Sequence, residues 1–226
     1  MEGFESDILF NWGALSISDT VVTTWAIMII FGVAGWIASL QLSQSPSPLQ
    51  AALEGVIGSI EEAIHAVAPD HTKMLLPFIA TLWLFLVVAN LIGLFHGLHS
   101  PTRDLSATSA LAILVFLSVH WFGIRAMGLK AYLRHYLAPT PILLPFHLIS
   151  EVTRTIALAV RLFGNMMSLE LAALLILMVA GFLAPVPILM LHIIEALVQA
   201  YIFGTLALIY VAGGLQSQQL HHKQQQ

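Results

Sequence analysis

Residues 21–42, "VVTTWAIMIIFGVAGWIASLQL", contain no charged side chain. About 20 such residues carry a helix across the hydrocarbon of a bilayer. Further apolar runs occupy 74–98, 105–124, 141–183 and 186–214. Inside lipid a backbone must satisfy its own hydrogen bonds, which leaves helices as the economical solution for runs of this length. The expectation is an all-α integral membrane protein, a single membrane domain (1–226) of about five membrane helices. Composition agrees: 58% of the residues are hydrophobic and 9% are charged, against about 25% charged in soluble domains. A net charge of -4 gives no basic footprint, so no nucleic-acid partner is expected. The absence of cysteine removes disulfides, thiolate metal sites and cysteine nucleophiles.

The acidic start, "MEGFESDILF", lacks the basic region of a cleavable signal peptide. Residues 1–20 therefore read as an external N-terminal segment and 21–42 as a retained first span. "QSPSP" ends that span. Over 49–66, Leu49, Leu53, Val56, Ile57, Ile60 and Ile64 recur at helical spacing, with Glu54, Glu61 and Glu62 off that stripe. This predicts an amphipathic helix lying at the membrane interface or against a partner; a soluble connector would leave the stripe bare. Spans at 74–98, with Asn90 and His96 inside, and at 105–124 follow. The next loop carries Arg125, Lys130 and Arg134 and no acid, which makes it cytoplasmic by the positive-inside rule. Counting outward puts 99–104 and the N-terminus outside and the tail, 215–226, in the cytoplasm as a solvated, disordered end. Its two histidines look metal-binding only in isolation.

From 141 to 183 the apolar pattern is unbroken, and one helix of that length would be about 64 Å long. Two spans broken near Gly164–Asn165 are the alternative. The first half contains Glu151, Arg154 and Arg161 and makes a poor lipid-facing span, which favours one long, steeply tilted helix. The segment 186–214 is the second of this kind.

Ionisable residues inside a membrane are costly and mark function by default. Here they cluster. His147, Glu151, Arg154, Arg161 and Glu170 share one helix, while His192 and Glu195, with Gln199, share the next. Arg154 and Arg161 are seven apart and lie on nearly one face, which Asn165 extends by a turn. Glu151 is spaced to pair with Arg154. Glu170 is about 14 Å further along than Arg161 and points to the opposite side. Arg161 is thus left without an intrahelical acid. Either Asn165, Gln199 and backbone carbonyls satisfy it as a buried strut, or a carboxylate of another chain meets it. The second costs less, because a guanidinium held only by neutral groups in a membrane loses several kcal/mol.

"RLFGN", a Glu nine residues after its Arg, and "QAYIFGTLALIY" in the last span together resemble subunit a of bacterial F-type ATP synthases. "SPTRDLSATSALA" and "PFHLISEVTR" fit the same family. The resemblance covers about 74–214 and implies a non-catalytic stator channel without cofactor or metal. In such a channel two offset half-channels carry protons or sodium ions to and from the carboxylates of a c-subunit ring. It implies peripheral-stalk b subunits, other ATP synthase subunits and membrane lipid as partners, and the bacterial inner membrane as location. By carry-over, Arg161 faces the ring carboxylate, and Gln199 and Asn165 orient it. Glu170 and His192 line the external half-channel, with Glu195 near them and Asp104 at its mouth. Glu151, His147 and Arg154 lie toward the cytoplasmic exit.

There are departures. Relatives commonly read "PIE" where this chain has "PFH", placing His147 where an acid is usual, and Ser106 stands where Asn is common. Mitochondrial versions read "RLTAN". The style of "MMSLELAALLIL" and "APVPILMLHIIEALVQAYIFG" is similar to a bacterial subgroup associated with sodium. Two other classes fit less well. A secondary ion-coupled transporter shows repeats and broken helices in both halves, whereas the polar residues here crowd into one half. A metalloenzyme built on His96, His99 and Asp104, or on His192 and Glu195, lacks an H-E-x-x-H pattern.

Overall fold

The computed structural model describes residues 8–12, 15–40, 47–94, 99–129, 132, 144–180 and 186–223. Six long helices make up most of it: α1 (Asp19–Leu40), α2 (Pro48–Val67), α3 (Thr72–Leu91), α4 (Leu105–Met127), α5 (Leu144–Ala180) and α6 (Val186–Lys223). Five of them, all but α2, are long and apolar enough to cross a membrane. The chain is the helical membrane protein its apolar runs call for. One addition precedes α1: strands β1 (Ile8–Trp12) and β2 (Leu15–Ser18) pair antiparallel, with Trp12 opposite Leu15. Ile8, Phe10 and Trp12 alternate with their neighbours at the period of a strand, a signal too short to weigh against the long spans.

Helix α1 stands apart. Only Thr20, Thr23 and Ile27 are buried, while Trp25, Ile29 and Trp36 are exposed along its length, a surface suited to lipid. Helix α2 starts at Ser47, whose side chain accepts a hydrogen bond from the Gln50 amide, with Pro48 where a missing N–H costs nothing. Its apolar stripe is divided. Ile60 and Ile64 are buried against α3 and α6, whereas Leu53 and Val56 remain exposed. Half of the stripe expected to seek an interface or partner is covered by this chain itself.

Two apolar clusters hold α3 to α6 together. One joins Ile60 and Ile64 to Leu75, Ile79, Trp83, Leu208, Val211 and Leu215. The other joins Leu82, Leu86, Ala112 and Val115 to Leu158, Leu162, Met166, Ala200 and Phe203. Between them Trp83 lies stacked on Tyr201 and donates its indole N–H to the Tyr201 carbonyl at 3.3 Å. Gly204 permits that approach, since a Cβ there would overlap the indole.

Several boundaries differ from those read in the sequence. Helix α3 ends at Leu91 in a 3-10 turn, Ile92–Leu94; residues 95–98 of the expected span, His96 among them, lie outside the described residues. A second turn, Pro101–Arg103, leads to Asp104, whose carboxylate accepts from the Ser106 amide at 2.9 Å and caps α4. Gly128, at φ +82°, closes α4 in a conformation that favours glycine. Helix α5 passes Gly164–Asn165 without a break, and Pro145 sits in its first turn, where its ring is tolerated. At 37 residues it is about 56 Å long. Helix α6 continues to Lys223, so helix occupies most of the stretch expected to be a disordered tail. The run "LQSQQLHHK" has no Gly or Pro to stop it.

Candidate functional site

The polar residues form three stations along α5. The middle one is Arg161. Helix α5 buries Leu158, Leu162 and Met166 inside the bundle, and this turns Ala157, Arg161 and Ser168 outward, all exposed. Gly164 on the same face has open space where a side chain would stand. No acid of the described residues comes within 4 Å of the Arg161 guanidinium, and it makes no hydrogen bond among them. The neutral groups once weighed as its partners are engaged with each other: Asn165 Nδ2 donates to Gln199 Oε1 at 2.7 Å. Gln199 is 1% exposed, and its Nε2 has no partner among the described residues. The buried strut is therefore not what Arg161 forms. Small residues around a cation leave room for another helix to approach closely.

The second station is Glu170, which points away from Arg161 and into the bundle. Its Oε1 takes both Arg103 Nη1, at 2.7 Å, and His99 Nδ1, at 3.3 Å. Both come from the turn between α3 and α4. That turn is fastened by buried polar groups: Thr102 donates to Asn90 Oδ1 at 2.8 Å, Asn90 Nδ2 donates to the Ala196 carbonyl, and Ser100 Oγ donates to the Ala89 carbonyl. His192, 8% exposed, belongs to this fastening, with Nε2 3.4 Å from the Asn90 carbonyl. Asp104, expected at the channel mouth, spends its carboxylate on the α4 cap. The neighbouring Arg103 is the residue that reaches Glu170. Glu195 is half-buried on α6 and forms no ion pair among the described residues.

The third station is Glu151. Spacing suggested a pair with Arg154, and the structure separates the two. Glu151 Oε2 lies 3.6 Å from His120 Nε2 of α4, while the Arg154 guanidinium sits 4.6 Å over the ring of Tyr210 on α6. Each finds a partner on a neighbouring helix instead of along its own. His147, a turn earlier, is exposed and makes no hydrogen bond or ion pair among the described residues.

Sequence reasoning missed Arg103, His99 and His120, and treated Asn90 only as a polar residue in a span. One signal was present: "DLS" after a Pro turn is a helix-start pattern, so the Asp104 carboxylate was spoken for. Nothing local marks His120. Among the described residues no group of three His, Cys, Asp or Glu is placed to hold a metal ion.

Five apolar helices, an outward arginine without an acid partner among the described residues, and half-buried carboxylates on either side of it along α5 define a membrane protein that handles ions. Comparison with known proteins gives the family. The model described as "ATP synthase A chain" matches residues 21–212. The chain is similar to ATP synthase subunit a 2 of Pelobacter propionicus, 62% identical and covering 92% of each chain. It is 58% identical to ATP synthase subunit a of Legionella pneumophila, over 97% of this chain and 96% of the other. It is 39% identical to ATP synthase subunit a 1 of Crocosphaera subtropica, over 95% and 94% respectively. The chain belongs to the ATP synthase subunit a family. It is a non-catalytic subunit of the ion-translocating membrane sector.

Proposed function

We propose that this subunit is the stator channel of a rotary ATP synthase, with two offset half-channels beside a ring of c subunits. The observation that carries the reading is Arg161: exposed, on a face of small residues, and without an acid partner among the described residues. A ring carboxylate arriving there meets a charge that never titrates. The stations of Glu170 and Glu151 lie about 14 and 15 Å along α5 on either side of Arg161, as two offset paths require.

An ion enters from outside past His99, Arg103 and Glu170, with His192 and Glu195 behind them and Asp104 at the rim, and neutralises a ring carboxylate. The neutral site then turns through lipid, where a charged one would cost at least about 2.5–3.5 kcal/mol. After nearly a full revolution it releases its ion toward Glu151, Arg154 and His147 on the cytoplasmic side. Arg161 draws the emptied carboxylate on and repels cations that would leak straight between the paths, while Asn165 and Gln199 hold the helix pair beside it. Each charge crossing 100 mV supplies about 2.3 kcal/mol, so several are gathered for each ATP.

The basic loop after α4 supports an inner-membrane placement with the N-terminus outside and the C-terminus in the cytoplasm. In this reading the lengths of α5 and α6 are taken up by steep tilt along the ring, and α1 faces lipid and the b subunits. The coupling ion is a proton or a sodium ion. The test is Arg161→Ala in membrane vesicles holding the assembled complex: ATP-driven ion pumping is lost. Arg161→Lys largely fails too, because the planar fork is gone. Pumping near the wild-type rate in Arg161→Ala vesicles contradicts the proposal.

A further inference from the structure

Two acids stand at one end of the polar stretch, and only one of them is engaged. Glu170 Oε1 is held by Arg103 at 2.7 Å. Glu195, half-buried on α6, makes no hydrogen bond or ion pair among the described residues. A carboxylate at membrane depth is costly without a counter-charge, so Glu195 calls for a cation that the described residues do not supply. The groups one turn to either side of it are open as well. His192, three residues earlier and 8% exposed, has Nε2 3.4 Å from the Asn90 carbonyl. A carbonyl only accepts, so Nε2 carries the hydrogen and Nδ1 keeps a lone pair while the ring is neutral. That Nδ1 has no partner among the described residues. Gln199, four residues later and 1% exposed, gives Oε1 to Asn165, and its Nε2 is unpartnered among the described residues. Residues three and four apart share a helix face, so Glu195 lies within reach of both. Asn90 meanwhile pins α6 around it, accepting from His192 and donating to the Ala196 carbonyl. The backbone there is fixed and the acid is untied.

We infer that Glu195 is the acid that carries the transported cation over the last stretch of the external path, taking it at His192 and giving it up beside the Asn165–Gln199 bridge, one turn from Arg161. The inference rests on the channel reading above. Taking a cation breaks no existing contact at Glu195, whereas Glu170 would first have to give up Arg103. For a proton, the Nδ1–H bond of an imidazolium breaks and an O–H bond forms on the carboxylate. The imidazole returns to neutral with its Nε2 hydrogen still on the Asn90 carbonyl. For a sodium ion the carboxylate oxygens are the ligands. Once emptied, the carboxylate accepts from Gln199 Nε2, the donor waiting one turn on.

A neighbour on α6 separates this from a packing role. Ile194 is 61% exposed on the bundle and turned about 100° from Glu195, on an apolar face that lipid or the ring keeps dry. The chain contains no cysteine, so Glu195→Cys and Ile194→Cys each place a single thiol in it. Spheroplasts holding the assembled complex are treated with a small, membrane-impermeant cationic thiosulfonate, and modification is read by mass. The result expected is modification of position 195 from the external face and none at position 194. Position 195 unmodified from that face overturns the inference. In inverted vesicles Glu195→Gln, with the complex at wild-type yield, lowers ATP-driven pumping roughly tenfold or more. Glu195→Asp, which keeps an exchangeable acid, recovers most of that loss. Pumping at the wild-type rate in Glu195→Gln overturns the inference, and this arm decides if Glu195→Cys does not assemble. Arg161→Ala in the same vesicles tells the two failures apart. If it pumps normally, the channel reading fails; if it is inactive while Glu195→Gln is normal, only this inference fails.

Discussion

Glu170 and Glu151 sit on one helix at similar distances from Arg161, yet their neighbours treat them differently. Glu170 is gripped by Arg103, a permanent cation, at 2.7 Å, delivered by a turn that Asn90, Ser100 and Thr102 fasten to α3 and α6. Glu151 lies 3.6 Å from His120, a residue within helix α4. One acid is tied to a turn by a 2.7 Å ion pair and the other meets a helix side chain at 3.6 Å. The two ends of an ion path need not be built alike. What differs between them is how firmly each acid is held.

Removing the element between the two ends has the largest expected effect. Arg161→Ala, measured as ATP-driven pumping in vesicles, abolishes coupling from either side, while single changes at the ends leave a residual rate. Glu170→Gln comes next, lowering pumping by about tenfold, less than the loss of Arg161 because His192 stands in part for it. That substitution also strands the Arg103 guanidinium. Arg103→Gln combined with Glu170→Gln should then pump no worse than Glu170→Gln alone; multiplied losses in the double variant would mean that the two side chains act independently. Thr102→Val probes the fastening of the turn. It leaves Asn90 Oδ1 without its donor, at a cost of about 1–3 kcal/mol, read as a lower melting temperature of the complex and a modest fall in pumping. Arg154→Gln has the smallest effect. It removes a cation–π contact worth about 0.5–1 kcal/mol and should leave pumping within about twofold; a complete loss would make Arg154 essential to the ion path.

The spans were legible because long uncharged runs in lipid have one solution, and α5 and α6 followed from the same reasoning. Arg161 was legible as well, since helical periodicity shows that no acid of its own helix reaches it. The partners of the acids were not. Arg103 and His99 meet Glu170 across a turn 67 and 71 residues away in sequence, and His120 meets Glu151 across a loop. Such contacts depend on how helices dock, which one chain's periodicity does not encode. Local spacing even misled at Glu151 and Arg154, where neighbouring helices offered each residue a partner. Asp104, which the resemblance places at the channel mouth, is also the cap of α4, as its position before "LSAT" signals. At α2 the periodicity was correct, but the bundle itself supplies the surface that covers Ile60 and Ile64.

The central claim is that the face of α5 carrying Arg161 is turned to a moving rotor. Disulfide formation tests it directly, between single cysteines on α5 and a cysteine beside the carboxylate of the ring helix, in membranes holding the whole complex. The account predicts crosslinks from Ala157→Cys, Gly164→Cys and Ser168→Cys, which share the outward face, and none from Leu158→Cys, Leu162→Cys or Met166→Cys, which are buried within the bundle. Crosslinks from the buried set alone, or from no position on α5, would contradict it.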